Sequence, residues 1–315
     1  MAVVSCTSRP ATRHPDSKEH NTLNRYSYAK ILMGSRCKIT LFAPNEAQAA
    51  TAAAIALDEV ARIEHILTDY NPNSEAMQVM RMPLGQWHEV SPTLMEILVL
   101  SKKVHRLSNG AFDPTIGAMT HLWRRVLKEG RIPTEAELNL AKASSGFEHL
   151  EMDQTTVSLR FEVKGMILDF GGIGKGYAAD RAIEVLARHG FKSAMVDLGG
   201  DLVFGDPPPD RISGWEVEIQ TGISAHKQML LSNCGVATSG DLERHFTFEG
   251  IRYSHIIDPS TGIGLTKQHA VTVVSMDGTT ADSLASAYSV LGNEELEKLT
   301  KAFPHTTVQI VTPLK

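Results

Sequence analysis

Apolar residues in the first half of the chain recur mainly at helical spacing. Between Asn45 and Leu67 the apolar positions Ala56, Val60 and Ile63 fall three or four residues apart, and Asn45 can cap the first turn. This spacing predicts a long helix with one buried face. The elements predicted for this half are, in order, a strand over Lys30–Ala43, helices over Asn45–Leu67 and Ser91–Leu107, and a helix that starts at Pro133–Thr134.

The second half instead alternates short apolar runs with turns. Strands outnumber helices there, and several connections are short, which favours antiparallel pairing. We therefore predict the α+β class for the chain. Strands are predicted over Val157–Phe170, Ser193–Leu198, Trp215–Gln220, Gln228–Ser232, Val236–Ser239, Tyr253–Ile257, Ala270–Ser275 and Val308–Val311, and helices over Tyr177–His189 and Thr280–Leu291.

The composition is that of a folded protein with an acidic balance. The chain has 315 residues, of which 42% are hydrophobic and 21% charged, so a disordered chain is excluded. The length corresponds to about two domains, or to one large domain with two lobes. Lys and Arg total 31 against 36 Asp and Glu, which gives a formal charge of −5. Because proteins that bind nucleic acid usually carry a basic face, we expect no nucleic-acid partner.

Neither the cysteines nor the apolar segments indicate a disulfide-stabilised, a zinc-binding or a membrane-spanning protein. The three cysteines are far apart and form no CxxC pair, which argues against a disulfide framework and a zinc site. The longest apolar stretch, within Ala47–Leu57, is shorter than the roughly 20 residues of a transmembrane helix. The N-terminus has no apolar signal-peptide core. We expect a cytoplasmic protein without a membrane anchor, in which residues 1–25 form a flexible tail and residues 26–315 form one domain.

A glycine-rich loop follows the apolar run that ends at Phe170. Gly171–Gly176 reads GGIGKG and leads into a predicted helix, an arrangement in which backbone N–H groups can approach a phosphate. The loop is not a P-loop, because Lys175 is followed by glycine rather than Ser or Thr. It is not a Rossmann fingerprint either, because Tyr177 stands where the last glycine is needed. A purely structural turn, with Lys175 a solvated charge, stays open.

A carboxylate and a hydroxyl are placed together near the start of the last predicted helix. Asp282 and Ser286 are four residues apart, so their side chains share a face. Such a pair could hold Mg²⁺ against a phosphate. The alternative is that Asp282 only complements the helix dipole.

One histidine lies in a polar loop between predicted strands. His255 is followed by Asp258–Gly262, which reads DPSTG and is typical of a turn. A second polar turn, Thr238–Asp241, ends a nearby predicted strand. A structural histidine and a catalytic one both fit this pattern.

Several segments, in this order along the chain, carry a family resemblance. They are Met33–Ser35, Asp69–Tyr70, Ser74–Glu75, Gly110–Thr115, Leu168–Ala178, Gly199–Asp201, Ala237–Gly240, Ser254–Gly262 and Ala281–Leu284. Together they resemble the ApbE family, the FAD:protein FMN transferases, over about residues 30–300. The resemblance implies an ApbE-like (T-fold-like) architecture with two lobes, in which a helical N-terminal half packs on a mixed, largely antiparallel sheet.

The resemblance also implies an activity and a set of site residues. Proteins similar to this one transfer FMN from FAD to a Ser or Thr hydroxyl of an acceptor protein, form a phosphoester, release AMP and require Mg²⁺. Asp282, Ser286 and the backbone carbonyl of Gly174 match the metal ligands, and His255 matches a histidine of the transfer step. The positions that match or adjoin the FAD site are Met33, Tyr70, Ala111, Phe112, Asp113, Gly172, Lys175, Tyr177, Thr238 and Ser239.

The chemistry of these residue types fits the implied reaction. A histidine, with an ordinary pKa near 6.5, can accept the proton of the attacking hydroxyl. Tyr70 offers a flat apolar face for a ring of FAD. Ser286 and Ser35 stand where many relatives have Thr. Two alternatives stay open: an Mg²⁺-dependent FAD pyrophosphatase, which shares every site residue, and a non-catalytic FAD-binding protein, which needs neither Asp282 nor His255.

Overall fold

A computed structural model describes residues 23–220, 225–240, 245–267, 269–291 and 293–312. The helices are α1 (Glu46–Leu67), α2 (Glu75–Val79), α3 (Pro92–Leu107), α4 (Gly117–Lys128), α5 (Glu135–Lys142), α6 (Gly174–Arg188), α7 (Gly278–Val290) and α8 (Asn293–Ala302). The strands are β1 (Asn24–Leu32), β2 (Ser35–Ala43), β3 (His88–Glu89), β4 (Leu150–Asp153), β5 (Ser158–Phe161), β6 (Ala194–Leu198), β7 (Asp201–Phe204), β8 (Trp215–Gln220), β9 (His226–Leu231), β10 (Cys234–Gly240), β11 (His245–Phe248), β12 (Ile251–Ser254), β13 (Ile257–Asp258), β14 (Ile263–Gly264), β15 (Ala270–Ser275) and β16 (Thr307–Val311).

A seven-stranded sheet forms the centre of the molecule. Its order is β1-β2-β6-β7-β10-β15-β16, and each neighbouring pair is antiparallel. Smaller two- and three-stranded sheets surround it. Helices and an antiparallel sheet in one chain confirm the predicted α+β class.

The inner strands β2, β6 and β7 of the central sheet are buried on both faces, to which successive side chains point in alternation. Val203 of β7 contributes to the core under helices α1, α6 and α7. Its neighbours Leu202 and Phe204 contribute to a second core, together with Trp215 of β8. Burying side chains of this size contributes about 1.5–3 kcal/mol each. The result is a helix layer on one face of the sheet and the β8–β9 hairpin over the other.

Helices α6 and α7 approach each other more closely than side chains would permit. A methyl group on Gly176 would overlap the carbonyl oxygen of Gly278 and lie 2.8 Å from Asp282 Cβ. The buried carboxylate of Asp180, on the next turn of α6, accepts the N–H groups of Gly278 and Thr279, both at 2.7 Å. These contacts fix the N-terminal turn of α7 beside the glycine-rich turn.

A separate small core joins the helical lobe to the second half of the chain. It contains Trp123 of α4, which is buried, and Ile257 of β13. The indole N–H of Trp123 donates to the carbonyl of Ser254 at 3.0 Å. This hydrogen bond therefore joins two residues that are 131 positions apart in sequence.

The elements differ from the sequence prediction in several places. Lys30–Ala43 is not one strand, because the chain reverses at Met33 and Gly34, whose φ angles are 50° and 68°. The predicted strand Val157–Phe170 ends at Phe161. Helix α6 begins at Gly174, three residues before the predicted start. Helices α2, α4 and α8 were not predicted.

The predicted flexible tail and the predicted domain boundary both lie near residue 23, the first residue that the structure describes. Residues 1–22 lie outside the described residues. β1 begins at Asn24, so the boundary predicted between residues 25 and 26 falls inside this strand. Within the described ranges, no helix is both long enough and apolar enough to cross a membrane.

Candidate active site

A cleft of about 780 Å³ is lined by residues of helices α1, α4, α6 and α7 and of strand β10. It gathers residues from segments that are distant in sequence. The predicted site residues that line it are Met33, Tyr70, Ala111, Phe112, Asp113, Gly172, Lys175, Thr238, Ser239, His255, Asp282 and Ser286. Two predicted residues, Gly174 and Tyr177, are not part of this lining.

Tyr177 packs in the protein core and does not face the cleft. Its ring is buried, and its hydroxyl donates to Glu96 Oε2 at 2.6 Å. Arg181 lies over the ring, 5.3 Å from its centre. Burial, together with the hydrogen bond to Glu96, raises the pKa of Tyr177. The side chain therefore connects α6 to α3, and the structure does not bring it to the other predicted FAD-site residues.

Asp282 and Ser286 lie one turn apart on α7 and both face the cleft. The helix begins where the side chain of Asp277 accepts the N–H of Thr280 at 2.6 Å, which satisfies one donor of the first turn. Asp282 is 5% exposed, and its Oδ2 accepts the N–H of Gly176 at 3.0 Å. The carboxylate is thus fixed at the start of α6, beside the glycine-rich turn.

The electrostatics of this corner favour a bound cation. Lys175 forms an ion pair with Asp201, which is also buried. Burial, and then the negative charge of Asp201, raises the pKa of Asp282 to about 7, and Lys175 opposes the shift. Two buried carboxylates therefore share one ammonium group. A further positive charge would relieve their repulsion.

The backbone of Gly172 packs closely against the side chain of Ser286. A methyl group on Gly172 would lie 2.7 Å from Ser286 Oγ and 3.4 Å from the ring of Phe112. Gly174 instead faces Met33 Cε, Phe170 Cβ and Leu67 Cδ1. These distances concern the Cβ direction of each glycine and not its carbonyl, so the ligand role of the Gly174 carbonyl stays a prediction.

Asp113 organises the turn that carries Ala111 and Phe112. Its Oδ1 accepts the N–H of Thr115 at 2.8 Å and the hydroxyl of Thr115 at 2.5 Å. Burial raises the pKa of Asp113, and the hydrogen bonds from Thr115 oppose the shift. This carboxylate is therefore committed to holding the turn, and Phe112 and Ala111 form the cleft wall.

A charged network at the other end of the cleft has no counterpart in the sequence prediction. Arg124 of α4 donates to Asp69 Oδ2 at 2.5 Å and to Asp169 Oδ2 at 2.6 Å. Asp69 Oδ2 also contacts His121 Nε2 at 2.8 Å, and Asp169 Oδ2 accepts the hydroxyl of Thr120 at 2.7 Å. Burial alone would raise the pKa of Asp69, but the contacts with His121 and Arg124 outweigh it and lower that pKa.

The sequence contained part of the signal for this network. Asp69 and Asp169 both lie in segments that carry the family resemblance, although no role was predicted for either. Arg124 lies on α4, a helix that the apolar pattern did not reveal. Without that helix, nothing in the sequence placed its guanidinium beside the two carboxylates.

His255 is exposed at the rim of the cleft, next to Ile256 and Pro259. The residue before it, Ser254, is buried, and its N–H donates to the carbonyl of Leu265 at 2.7 Å. Trp123 donates to the carbonyl of Ser254, as described above. Two hydrogen bonds therefore fix the backbone of Ser254, the residue before His255, and His255 itself lines the cleft.

Among the residues that the structure describes, no three His, Cys, Asp or Glu side chains converge to hold a metal. A cation at Asp282 would need further oxygen ligands from Ser286, the backbone and a phosphate. Mg²⁺ is commonly bound in this way, through one or two carboxylates plus substrate oxygens. The donor set at this corner consists of such hard oxygen atoms, and it fits Mg²⁺.

The chain is similar to curated proteins over most of its length. A curated FAD:protein FMN transferase from Treponema pallidum is 29% identical over 93% of this chain and 86% of the relative. One from Klebsiella pneumoniae is 28% identical over 86% of this chain and 84% of the relative.

Solved structures show the same fold over nearly the whole chain. The apo flavinyl transferase ApbE of Pseudomonas stutzeri superimposes with a TM-score of 0.81 at 27% identity, covering 93% of this chain and 92% of the other. The ApbE protein of Thermotoga maritima gives 0.80 at 28% identity, covering 92% and 94%. The sequence profile of the ApbE family matches residues 33–310. The chain therefore belongs to the ApbE family.

Proposed function

We propose that this chain transfers FMN from FAD to a Ser or Thr hydroxyl of an acceptor protein and releases AMP. The observation that supports the proposal most directly is one cleft that holds an oxygen-ligand corner at Asp282 and Ser286, a lysine and a histidine. The curated relatives that carry the name FAD:protein FMN transferase support it independently.

The proposed reaction is a substitution at phosphorus. The acceptor oxygen forms a bond to the phosphorus on the FMN side of the FAD diphosphate, and the bond from that phosphorus to the bridging oxygen breaks. AMP leaves with the bridging oxygen, and FMN remains on the acceptor as a phosphoester. The acceptor hydroxyl loses one proton, which His255 is placed to receive at the rim of the cleft.

Asp282, Ser286 and the Gly174 carbonyl would hold Mg²⁺, and Lys175 would add positive charge beside them. When bound, Mg²⁺ supplies neutralisation of the charge that develops on the phosphoryl oxygens. Lys175 is anchored by its ion pair with Asp201, so its ammonium group is oriented before substrate arrives. Pre-oriented charge of this kind lowers a barrier more than charge that must reorganise.

The acceptor protein must approach from the open side of the cleft, where His255 lies. Met33, Phe112 and Tyr70 line the cleft and suit the flat rings of FAD. We further propose that the acceptor carries a Ser/Thr flavinylation motif and that the reaction takes place in the cytoplasm. The first part is tested with the acceptor below, and the second by fractionation of cells that express the full chain.

The decisive experiment incubates the protein with FAD and Mg²⁺, with and without a domain that carries a Ser/Thr acceptor motif. Intact mass and AMP are measured together. A mass gain of one FMN on the acceptor, with an equal amount of AMP, is the expected result. AMP with free FMN and no adduct would establish the pyrophosphatase, and bound FAD without AMP would establish a binding protein.

His255→Ala should slow transfer by about a hundredfold or more, which is the usual contribution of a general base. FAD affinity should change by less than about threefold, because the role proposed for the imidazole is to accept the proton of the acceptor hydroxyl and not to bind the FAD rings. Single-turnover rates and FAD titrations measure the two quantities separately. His88→Ala is the control, because His88 lies in β3, away from the cleft lining. Equal losses of rate and affinity in the His255 variant would assign it a binding role.

Trp123→Phe should lower the transfer rate about fivefold, because the lost indole N–H was one of the two supports under His255. FAD affinity should stay within about twofold. Trp215→Phe is a matched control: Trp215 is equally buried and donates to the carbonyl of Asp206 at 3.0 Å, but it lies in the second core. A rate loss of the same size in both variants would mean that general destabilisation is the cause.

A further inference from the structure

Arg124 is held between two carboxylates at one end of the cleft. Its two terminal nitrogens reach Asp69 and Asp169 at 2.5 and 2.6 Å. The aspartate side chains are only 7% and 10% exposed, whereas that of Arg124 is 35% exposed. An ion pair at each end of a planar guanidinium fixes the orientation of the plane as well as its position.

The same guanidinium lies against the ring of Tyr70. The central carbon of the guanidinium is 4.9 Å from the centre of the ring. Tyr70 is 77% exposed, and it directly follows Asp69, one of the two carboxylates that hold Arg124. One face of the ring is therefore covered by a cation, whereas the residue as a whole remains largely exposed at the cleft.

We propose that Arg124 is a positioning residue for FAD, which acts by fixing Tyr70 as a platform for one of the two ring systems of FAD. The inference rests on the proposed function, since it takes FAD as the substrate. A flat ring gains more from stacking on an aromatic side chain that is already held in place, because less conformational entropy is lost on binding. A cation on the far face of the tyrosine adds to this restraint.

The charge of Arg124 has a second effect on the same substrate. Asp69 and Asp169 would otherwise present two negative charges to the FAD diphosphate inside one cleft. The positive charge of Arg124 offsets one of these two negative charges. Asp69 also contacts His121 Nε2 at 2.8 Å. The charge effect and the platform both predict weaker FAD binding when Arg124 is removed, but only the platform requires Tyr70.

A double-mutant cycle on FAD affinity separates the two effects. Arg124→Met should weaken FAD binding about fivefold in the otherwise unchanged protein. In a Tyr70→Leu background, the same substitution should weaken it by less than about twofold. Equal losses in both backgrounds would overturn the inference, because Arg124 would then act without Tyr70. The maximal transfer rate at saturating FAD should change less than the KM for FAD, which a general loss of structure would not produce.

Removing Arg124 leaves two buried carboxylates without a cation, so stability must be checked. Thermal unfolding of each variant provides that check. If Arg124→Met does not fold, the cycle is repeated in an Asp69→Asn background, where one negative charge is removed with the positive one. The expected coupling with Tyr70 is the same there, and its absence would again overturn the inference.

Titrations with FMN and with ADP identify the ring. Weaker binding of FMN alone in the Arg124→Met variant would place the flavin on Tyr70, and weaker binding of ADP alone would place the adenine there. Both results support the platform. Unchanged binding of both, with unchanged FAD affinity, would overturn it. Wild-type protein that binds no FAD would overturn the proposed function itself, a result that is distinguishable because it appears before any variant is made.

Discussion

Asp282→Asn should reduce Mg²⁺-dependent FMN transfer by at least about a hundredfold, without loss of the folded state. Asp282 supplies the only carboxylate of the proposed oxygen-ligand set, and its partners Ser286 and the Gly174 carbonyl are neutral. An amide in its place would leave three neutral ligands for a strongly hydrated dication. Mg²⁺ would then be held far more weakly, whereas the FAD rings would keep their contacts at Met33, Phe112 and Tyr70.

The same substitution should leave stability unchanged or higher. Burial and Asp201 both disfavour the charge of Asp282. Asparagine has the same shape, and its oxygen can still accept the N–H of Gly176. Loss of activity with a retained melting temperature would therefore separate a functional role from a structural one.

Thermal unfolding with and without Mg²⁺ measures binding independently of turnover, because a ligand that binds only the folded state raises its stability. The wild-type protein should be stabilised by Mg²⁺ in the presence of FAD, and the Asp282→Asn variant should not. Asp153→Asn is the control: Asp153 accepts the N–H of Thr155 at 2.8 Å in the β4–β5 turn, away from the cleft. Full activity or an unchanged Mg²⁺ response in the Asp282 variant would contradict the proposed metal site.

The sequence predicted that Asp282 and Ser286 lie together but did not predict the network around Arg124, for a physical reason. Asp282 and Ser286 are four residues apart on one helix, so local periodicity alone places them on one face. Helix α1 and its Asn45 cap were predicted for the same reason, and the cap accepts the N–H of Gln48 at 3.0 Å. Both features depend on neighbours in sequence.

The network around Arg124 depends on neighbours in space. Arg124 meets Asp69 and Asp169, which are 55 and 45 residues away along the chain. No period or cap in the sequence encodes such a meeting. Helix α4 was also missed, since it begins after Ile116 without any side-chain cap and so lacks the usual start signal.

Tyr177 shows what a motif alone could not decide. It lies in the segment that carries the strongest resemblance, and it was predicted to belong to the site. A helix turns by about 100° per residue, so adjacent motif positions face different surroundings. Because α6 begins at Gly174, Lys175 faces the cleft and Tyr177 faces the core. Their directions follow from where the helix starts, and the sequence prediction placed that start three residues too late.

Gly176→Ala should destabilise the protein by about 2–4 kcal/mol, although alanine is the better helix former. The added methyl would overlap the Gly278 carbonyl oxygen and lie 2.8 Å from Asp282 Cβ. The carbonyl belongs to backbone that Asp180 holds in place, so it cannot rotate away as a side chain would. Helices α6 and α7 would have to separate, and the N–H of Gly176 would move away from Asp282.

Gly174→Ala is the matched control, because it makes the same chemical change two residues earlier in the same helix. Its methyl would lie 3.3 Å from Met33 Cε, the flexible end of a side chain. There the helix propensity of alanine should prevail, and the free energy of unfolding should stay within about 1 kcal/mol of wild type. Denaturant unfolding of both variants measures the difference. Equal stability of the two would mean that α6 and α7 can separate at little cost, and that Asp282 is not held by their close approach.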